Sequence, residues 1–380
     1  MYSFRNDYSE GAHPEVLQAL TDTNLVQTCG YGVDPICEEA RDLIRTVCAA
    51  PEADVHFLVG GTQTNLTVIT ALLASYEAVI AAHTGHVNCH ETGAIEATGH
   101  KVCVETSPDG KVTPAMVEAV LARHDGTEHM VSPKMVYISD TTEIGTVYTK
   151  AELTALRHCC DEHGLLLFLD GARLGSALTS PESDLTLADL AALTDVFTIG
   201  GTKNGALFGE AVCILNPALK PDFRYILKQR GGMLAKGWLL GIQFEQLMQN
   251  CLYEELGEHS TRLAQQLSAG LAALGVEFLF DSPSNQIFPI LPDEVLAKLE
   301  GLPLGGDRGA RPRPHLRAPG VQLGHRAGGG QKLYGRDGYR LAKADAGILA
   351  MPPAGPTVDR LIAVKKAYPD TQVFGIVDCE

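Results

Sequence analysis

The chain has 380 residues with 30 basic and 46 acidic side chains, a formal net charge of −16, so it offers little electrostatic attraction to a nucleic-acid backbone or an anionic lipid surface. Its length exceeds the roughly 250 to 300 residues at which one hydrophobic core stops growing, which predicts a large domain over 1–250, with an N-terminal arm, and a smaller one over 251–380. No apolar run approaches the ~20 residues of a membrane span, and the opening MYSFRNDYSEGAHPE lacks a basic-then-apolar signal.

Taken in chain order, helix-like and strand-like segments alternate: helix Pro35–Ala49, strand Asp54–Val59, helix Asn65–Ser75, strands Ala78–Ala82 and Lys101–Glu105, helix Pro114–Ala122, strand Met135–Ser139, helix Lys150–His163, strand Leu165–Asp170, helix Leu185–Leu193, and strands Asp195–Ile199 and Glu210–Leu215. Such alternation predicts an α/β domain with a mostly parallel sheet. Lys236–Ala273 reads as long helix interrupted at Gly257 and Gly270, leading into the smaller α+β domain. Ten cysteines are scattered with no CxxC pair, which suits reduced thiols in a cytoplasm better than disulfides or a metal site. The expectation is a soluble cytoplasmic protein with no metal and with neither nucleic acid nor membrane as partner.

The window 301–340 differs from the rest. It holds eleven of the 39 glycines and carries a charge of +6, leaving −22 on the remainder. With few large apolar residues to offset ordering entropy, it is predicted to be atypical and poorly ordered.

Three segments could carry chemistry. In LLLFLDGARL an uninterrupted apolar run ends in Asp170, and ligand crevices of open α/β sheets lie outside the carboxyl ends of the strands. A turn aspartate capping the next helix is an equal alternative, and a metal-binding carboxylate a third. In VFTIGGTKNG a second run ends in a turn bearing Lys203; a solvated lysine is the default, a Schiff-base amine the alternative if both residues face one crevice. In FLVGGTQTN a Gly-Gly-Thr turn opens a helix whose amides, with Gly61 and Thr62, would suit a phosphate. Phosphate cradle, carboxylate and amine together match what pyridoxal 5'-phosphate requires. Arg173 would then serve its phenolate oxygen or a substrate carboxylate, and His86 would stack on the ring or move protons.

With these residues the chain resembles the low-specificity threonine aldolases, in the β-eliminating lyase group of fold type I pyridoxal phosphate enzymes. The resemblance covers about 3–295 and is carried by FRNDY at 4–8, YGVDP at 31–35, GGTQTN at 60–65, HTGHVNCHETGAIEATG at 83–99, GTVY at 145–148, FLDGARL at 168–174 and the Lys203 turn followed by GGM at 231–233. It implies Lys203 as Schiff-base lysine, Asp170 as pyridinium partner, Arg173 on the phenolate side, Gly61 and Thr62 on the phosphate and His86 on the ring. Tyr31 and a basic residue near Lys228 or Arg230 would reach the site of a neighbouring subunit of a homodimer or homotetramer. The implied reaction splits a β-hydroxy-α-amino acid into glycine and an aldehyde; β-elimination, transamination, or cofactor binding without catalysis are the alternatives. Asn6 stands where many members have serine, and Thr142 is taken as the position of a family histidine that handles substrate.

The family's substrate-gripping arginine before a Ser-Ser-Trp-Ala-Thr run has no counterpart in 301–340. Codons permitted for this window, read one nucleotide later, encode YRWEVIEEHDPDRTCVRLVSSWATAPEE, which contains it. The sequence therefore predicts a slip of reading frame close to Glu300.

Overall fold

A computed structural model describes residues 6–291 and the two-residue strand Leu349–Ala350. Helices α1 (Pro14–Thr23) and α2 (Pro35–Val47) lead to β1 (Asp54–Leu58), α3 (Gly61–Leu72) and β2 (Glu77–Ala82). There follow α4 (His86–Cys89), α5 (Ala94–Ala97), β3 (Lys101–Glu105), α6 (Pro114–Ala122), β4 (Ser132–Ser139), α7 (Lys150–His163) and β5 (Leu166–Asp170). Then come α8 (Leu174–Leu178), α9 (Leu187–Leu193), β6 (Val196–Gly200), β7 (Glu210–Ile214), α10 (Phe223–Gln229), α11 (Trp238–Met248) and α12 (Leu252–Ala272). A short antiparallel pair joins β8 (Gln286–Ile287) to β9 (Leu349–Ala350).

The main sheet has the order β1-β7-β6-β5-β4-β2-β3. The neighbours from β3 to β6 are parallel, whereas β7 is antiparallel to both β6 and β1. The carboxyl ends of β2, β4, β5, β6 and β1 therefore share one edge with the start of β7, where Glu210 stands opposite both Gly200 and Leu58. Both faces are covered: Ala78, Ile80, Leu167 and Leu169 belong to one apolar cluster, while Val79, Ala81 and Phe168 belong to the other. That double burial is why these strands read as continuous apolar runs. Each fully buried large side chain such as Phe168 contributes roughly 1.5–3 kcal/mol.

Local signals explain the sharpest boundaries. A capping box of Thr149 and Glu152 starts α7, and Gly164 at φ +62° ends it, so its limits coincide with those predicted. The α3 helix begins at Gly61, four residues before the expected Asn65, which turns the glycines into the helix N-terminus.

The long helical stretch breaks elsewhere than at Gly257 and Gly270. Asn250 and Cys251 both take positive φ (53° and 61°), a left-handed pair that no helix continues through, and both glycines lie inside α12. Gly257 is there for contact: a Cβ on it would come within 2.3 Å of the Gly175 carbonyl oxygen on α8. Among the described residues no helix is long and apolar enough to cross a membrane. The expectations for 301–340 and for the frame slip lie outside the described residues.

Candidate active site

Asp170 ends β5 in a buried position, 5% exposed. Its Oδ1 accepts the Ala172 amide at 3.0 Å, a local turn bond. Its Oδ2 accepts Asn65 Nδ2 at 2.8 Å and the Tyr137 hydroxyl at 2.6 Å, so the carboxylate is fixed by α3 and β4 as well. Asp170 does not cap the next helix, because α8 has Arg173 as its N-cap and no side-chain cap bond. Gly171 lets the next turn lie flat on β6, since a Cβ there would stand 2.0 Å from the Thr198 carbonyl oxygen.

From Asp170 a ring of polar contacts closes on itself. Asn65 Nδ2 also donates to Glu91 Oε1 at 2.7 Å, and Glu91 Oε1 lies 2.7 Å from His86 Nδ1. The His86 amide donates to Glu143 Oε1 at 2.9 Å, and Ser139 Oγ donates to the same oxygen at 2.7 Å. Ser139 Oγ lies 3.3 Å from the Tyr137 hydroxyl, which returns to Asp170. Burial alone would lower the His86 pKa, but the Glu91 hydrogen bond and the charges of Asp170, Glu91 and Glu143 outweigh it, and the imidazole is held toward its protonated form. Burial raises the carboxyl of Glu143.

Lys203 sits in the β6–β7 turn, half-buried, with Nζ 5.9 Å from the Tyr8 ring centre. Glu210, behind that turn, is pushed to about 8 by burial and the charge of Asp170, against the pull of Lys203. Gly60 and Gly61 open α3 with nothing within 4 Å of a Cβ on either, and Thr62 beside them is exposed. The first amides of a helix have no intrahelical acceptor, so this end presents donors to open space.

Arg173 is buried with its Nε and Nη2 on Asp7, at 2.6 and 3.1 Å. Asn285 Nδ2 also donates to Asp7, at 3.0 Å. Burial opposes the charge on Asp7, yet Arg173 and Lys203 hold its pKa below the usual value. Asn6, by contrast, serves its own turn, accepting from the Tyr8 amide and the Ser9 hydroxyl.

Tyr31 is 46% exposed at φ 63°, with Lys228 Nζ 4.4 Å from its ring centre and Arg224 donating to its carbonyl. The Arg230 carbonyl accepts from Gln63 in the first turn of α3, and its buried Nε has no hydrogen-bond partner among the described residues. Thr142 is turned away from this cluster, its Oγ1 2.7 Å from Thr146 Oγ1; the residue of that loop that meets His86 is Glu143. Sequence reasoning passed over Asp7, Asn65, Glu91, Tyr137 and Glu143. Asp7, Asn65 and Glu91 lie within FRNDY, GGTQTN and HTGHVNCHETGAIEATG, but only the fold shows what they meet.

The donor set fits pyridoxal phosphate. An acceptor-only carboxylate suits a protonated ring nitrogen, an amine suits the aldehyde, and a glycine-lined helix N-terminus opening on free space suits the phosphate.

A family model described as β-eliminating lyase matches residues 4–291. Low-specificity L-threonine aldolase of a Pseudomonas species is 34% identical over 303 residues, 78% of this chain and 86% of that protein. The Pseudomonas aeruginosa protein of the same name is 32% identical over 299 residues, with the same coverage. The solved structure of Leishmania major threonine aldolase is 56% identical, covering 79% of this chain and 88% of that one at a TM-score of 0.78. Aspartate aminotransferase of Thermus thermophilus, at 19% identity and a TM-score of 0.60 over 76% of this chain, shares the fold. The chain accordingly belongs to the β-eliminating lyase family of pyridoxal phosphate-dependent enzymes, with the low-specificity threonine aldolases among its relatives.

Proposed function

We propose that this lyase splits a β-hydroxy-α-amino acid of the threonine or allo-threonine type into glycine and an aldehyde, as the names of its relatives indicate for them. The observation that carries the reading is the Asp170 carboxylate, buried and aimed by Asn65 and Tyr137 at the sheet edge that also bears the Lys203 turn and the α3 N-terminus. When bound, pyridoxal phosphate supplies an electron sink for the pair left by the broken Cα–Cβ bond.

The chain's residues do the rest. Asp170 would hold the proton on the ring nitrogen. The Lys203 amine would hold the cofactor at its formyl carbon. The amides of Gly61 and Thr62 would bind the phosphate, and Arg173, kept in place by Asp7, would orient the phenolate side. His86, pinned at Nδ1 by Glu91 and held toward its protonated form, would cover the ring face.

The working enzyme is a cytoplasmic homodimer or homotetramer in which Tyr31 and the Lys228–Arg230 segment complete a neighbour's site, with Asn6 beside the substrate. The exposure of Tyr31 and the Arg230 Nε, which has no partner among the described residues, support that sharing. The test is a visible spectrum of wild type and Lys203→Ala, with products assayed on threonine, serine and phenylserine. The reading expects a bound chromophore and glycine plus aldehyde in wild type, and neither in the variant. The same chromophore in both proteins overturns the Lys203 assignment; ammonia and a keto acid in place of glycine overturn the aldolase reading.

A further inference from the structure

Cleavage requires a group that takes the proton from the substrate's β-hydroxyl. We infer that Glu143 is that acceptor, with its carboxylate placed beside His86 by a double hydrogen bond; this rests on the aldolase reading above.

Three observations carry it. First, Glu143 is anchored at one oxygen only in the ring described: Oε1 takes both the His86 amide and Ser139 Oγ, an arrangement that fixes the carboxylate while leaving Oε2 outside the ring. Second, access separates the acids. The Glu91 side chain is fully enclosed, Asp170 and Glu210 are buried, and Glu143 is half-buried together with His86 and Ser139, so it is the least enclosed acid of this cluster. Third, the nearest competitor is committed at Nδ1 and held toward its protonated form. An imidazole whose Nδ1 is on Glu91, facing Asp170 and Glu143, favours its charged form, and an imidazolium has no lone pair to accept a proton. Thr142, bonded to Thr146, is turned elsewhere.

The charge environment suits the task. Burial raises the Glu143 pKa, His86 on α4 and the Ser139 hydroxyl on β4 oppose the rise, and Asp170 on β5 adds to it. The Tyr137 and Tyr148 hydroxyls, also within its field, are held neutral by burial and by the surrounding acids. A carboxyl lifted toward neutrality is a stronger base than an ordinary one. The step balances without a redox partner. The hydroxyl proton moves to Glu143, the O–H pair becomes the second bond of the aldehyde carbonyl, and the Cα–Cβ pair remains with the glycyl carbon. One proton delivered to that carbon offsets the one taken up by Glu143.

The glycine α-proton can exchange with deuterated water without any β-hydroxyl chemistry, which gives an internal control on the same cofactor-loaded protein. Glu143→Gln and Glu143→Asp are compared with wild type for phenylserine cleavage, glycine exchange and the visible band. The expected result is a ratio of cleavage to exchange reduced ~10²-fold or more in E143Q, a smaller reduction in E143D, and loss in E143Q of the limb on which wild-type cleavage rises with pH. If E143Q lowers cleavage and exchange in equal proportion, or keeps the pH limb, Glu143 is only a scaffold and the proposal fails. A wild-type enzyme that exchanges glycine but releases no aldehyde would instead overturn the aldolase reading.

Discussion

The two groups of candidate site residues are built differently. Along the wall formed by α3, α4, β4 and β5, the acids Asp170, Glu91 and Glu143 are each bound by neighbours within the same chain. Along the rim formed by Tyr31, Lys228 and Arg230, the ring is exposed, its cation sits over it from solvent, and the buried Arg230 Nε has no acceptor among the described residues. The wall is preorganised by the sheet, so its chemistry is set before a ligand arrives. The rim has donors and a strained backbone in search of an acceptor, the pattern expected of a surface finished by something else.

The largest effect should come from breaking the wall at its centre. Asp170→Asn keeps the shape but removes the charge that holds a ring proton, and it sets an amide against two donors, Asn65 and Tyr137. Glycine release is expected to fall by on the order of 10²–10³ while the protein stays folded, as circular dichroism would show. Wild-type turnover in D170N would mean that the cofactor lies elsewhere.

The second prediction concerns the stretch after Glu300. Restoring the shifted frame, so that the chain continues as YRWEVIEEHDPDRTCVRLVSSWATAPEE from Leu302, should supply an arginine for the substrate carboxylate. Two charge-assisted hydrogen bonds at ~1.5–3 kcal/mol each would raise kcat/KM by roughly 10² or more. Equal kcat/KM in both chains, measured on phenylserine, would show that the wall suffices. Sequencing the DNA across this region tests the slip itself.

The third removes the pin between arm and wall. Asp7→Ala leaves Arg173 buried without its carboxylate partner and should cost about 3–5 kcal/mol in urea unfolding at pH 7. Because the Asp7 pKa is lowered by folding, its contribution is present above the unfolded value of ~3.9 and is lost as pH falls through the folded one. The stability difference between wild type and D7A should therefore shrink in acid.

How much of this was legible beforehand follows the same division. Asp170 and Lys203 could be found because each ends or follows an apolar strand, a signal local to a few residues. The parallel strands were readable for the same reason. The strand Glu210–Ile214 was readable too, but its antiparallel direction and its place between β6 and β1 were not, since they depend on pairing with Asp54–Leu58, far earlier in the chain. Glu91 and Glu143 carry no local signal; they matter because β2 and β4 end side by side. The Gly257 break failed for an instructive reason: helix propensity counts against glycine, but close approach of α12 to α8 demands it.

The finest distinction is whether the rim belongs to its own site or to another chain's, and mixing two defective proteins decides it. Lys203→Ala keeps an intact rim and loses the amine; Tyr31→Ala keeps the amine and loses the ring. Were both residues used within one chain, every protomer in a mixture would stay defective and activity would remain the sum of the two. In a two-fold dimer with a shared site, each mixed pair holds one site built from the Tyr31→Ala protomer's lysine and the Lys203→Ala protomer's tyrosine, and that site is wild type throughout. Random reassociation makes half of the dimers mixed, so about a quarter of wild-type activity should return. No recovery after reassociation, confirmed by mass spectrometry of the mixed dimer, would place Tyr31 at its own chain's site and end the case for a shared one.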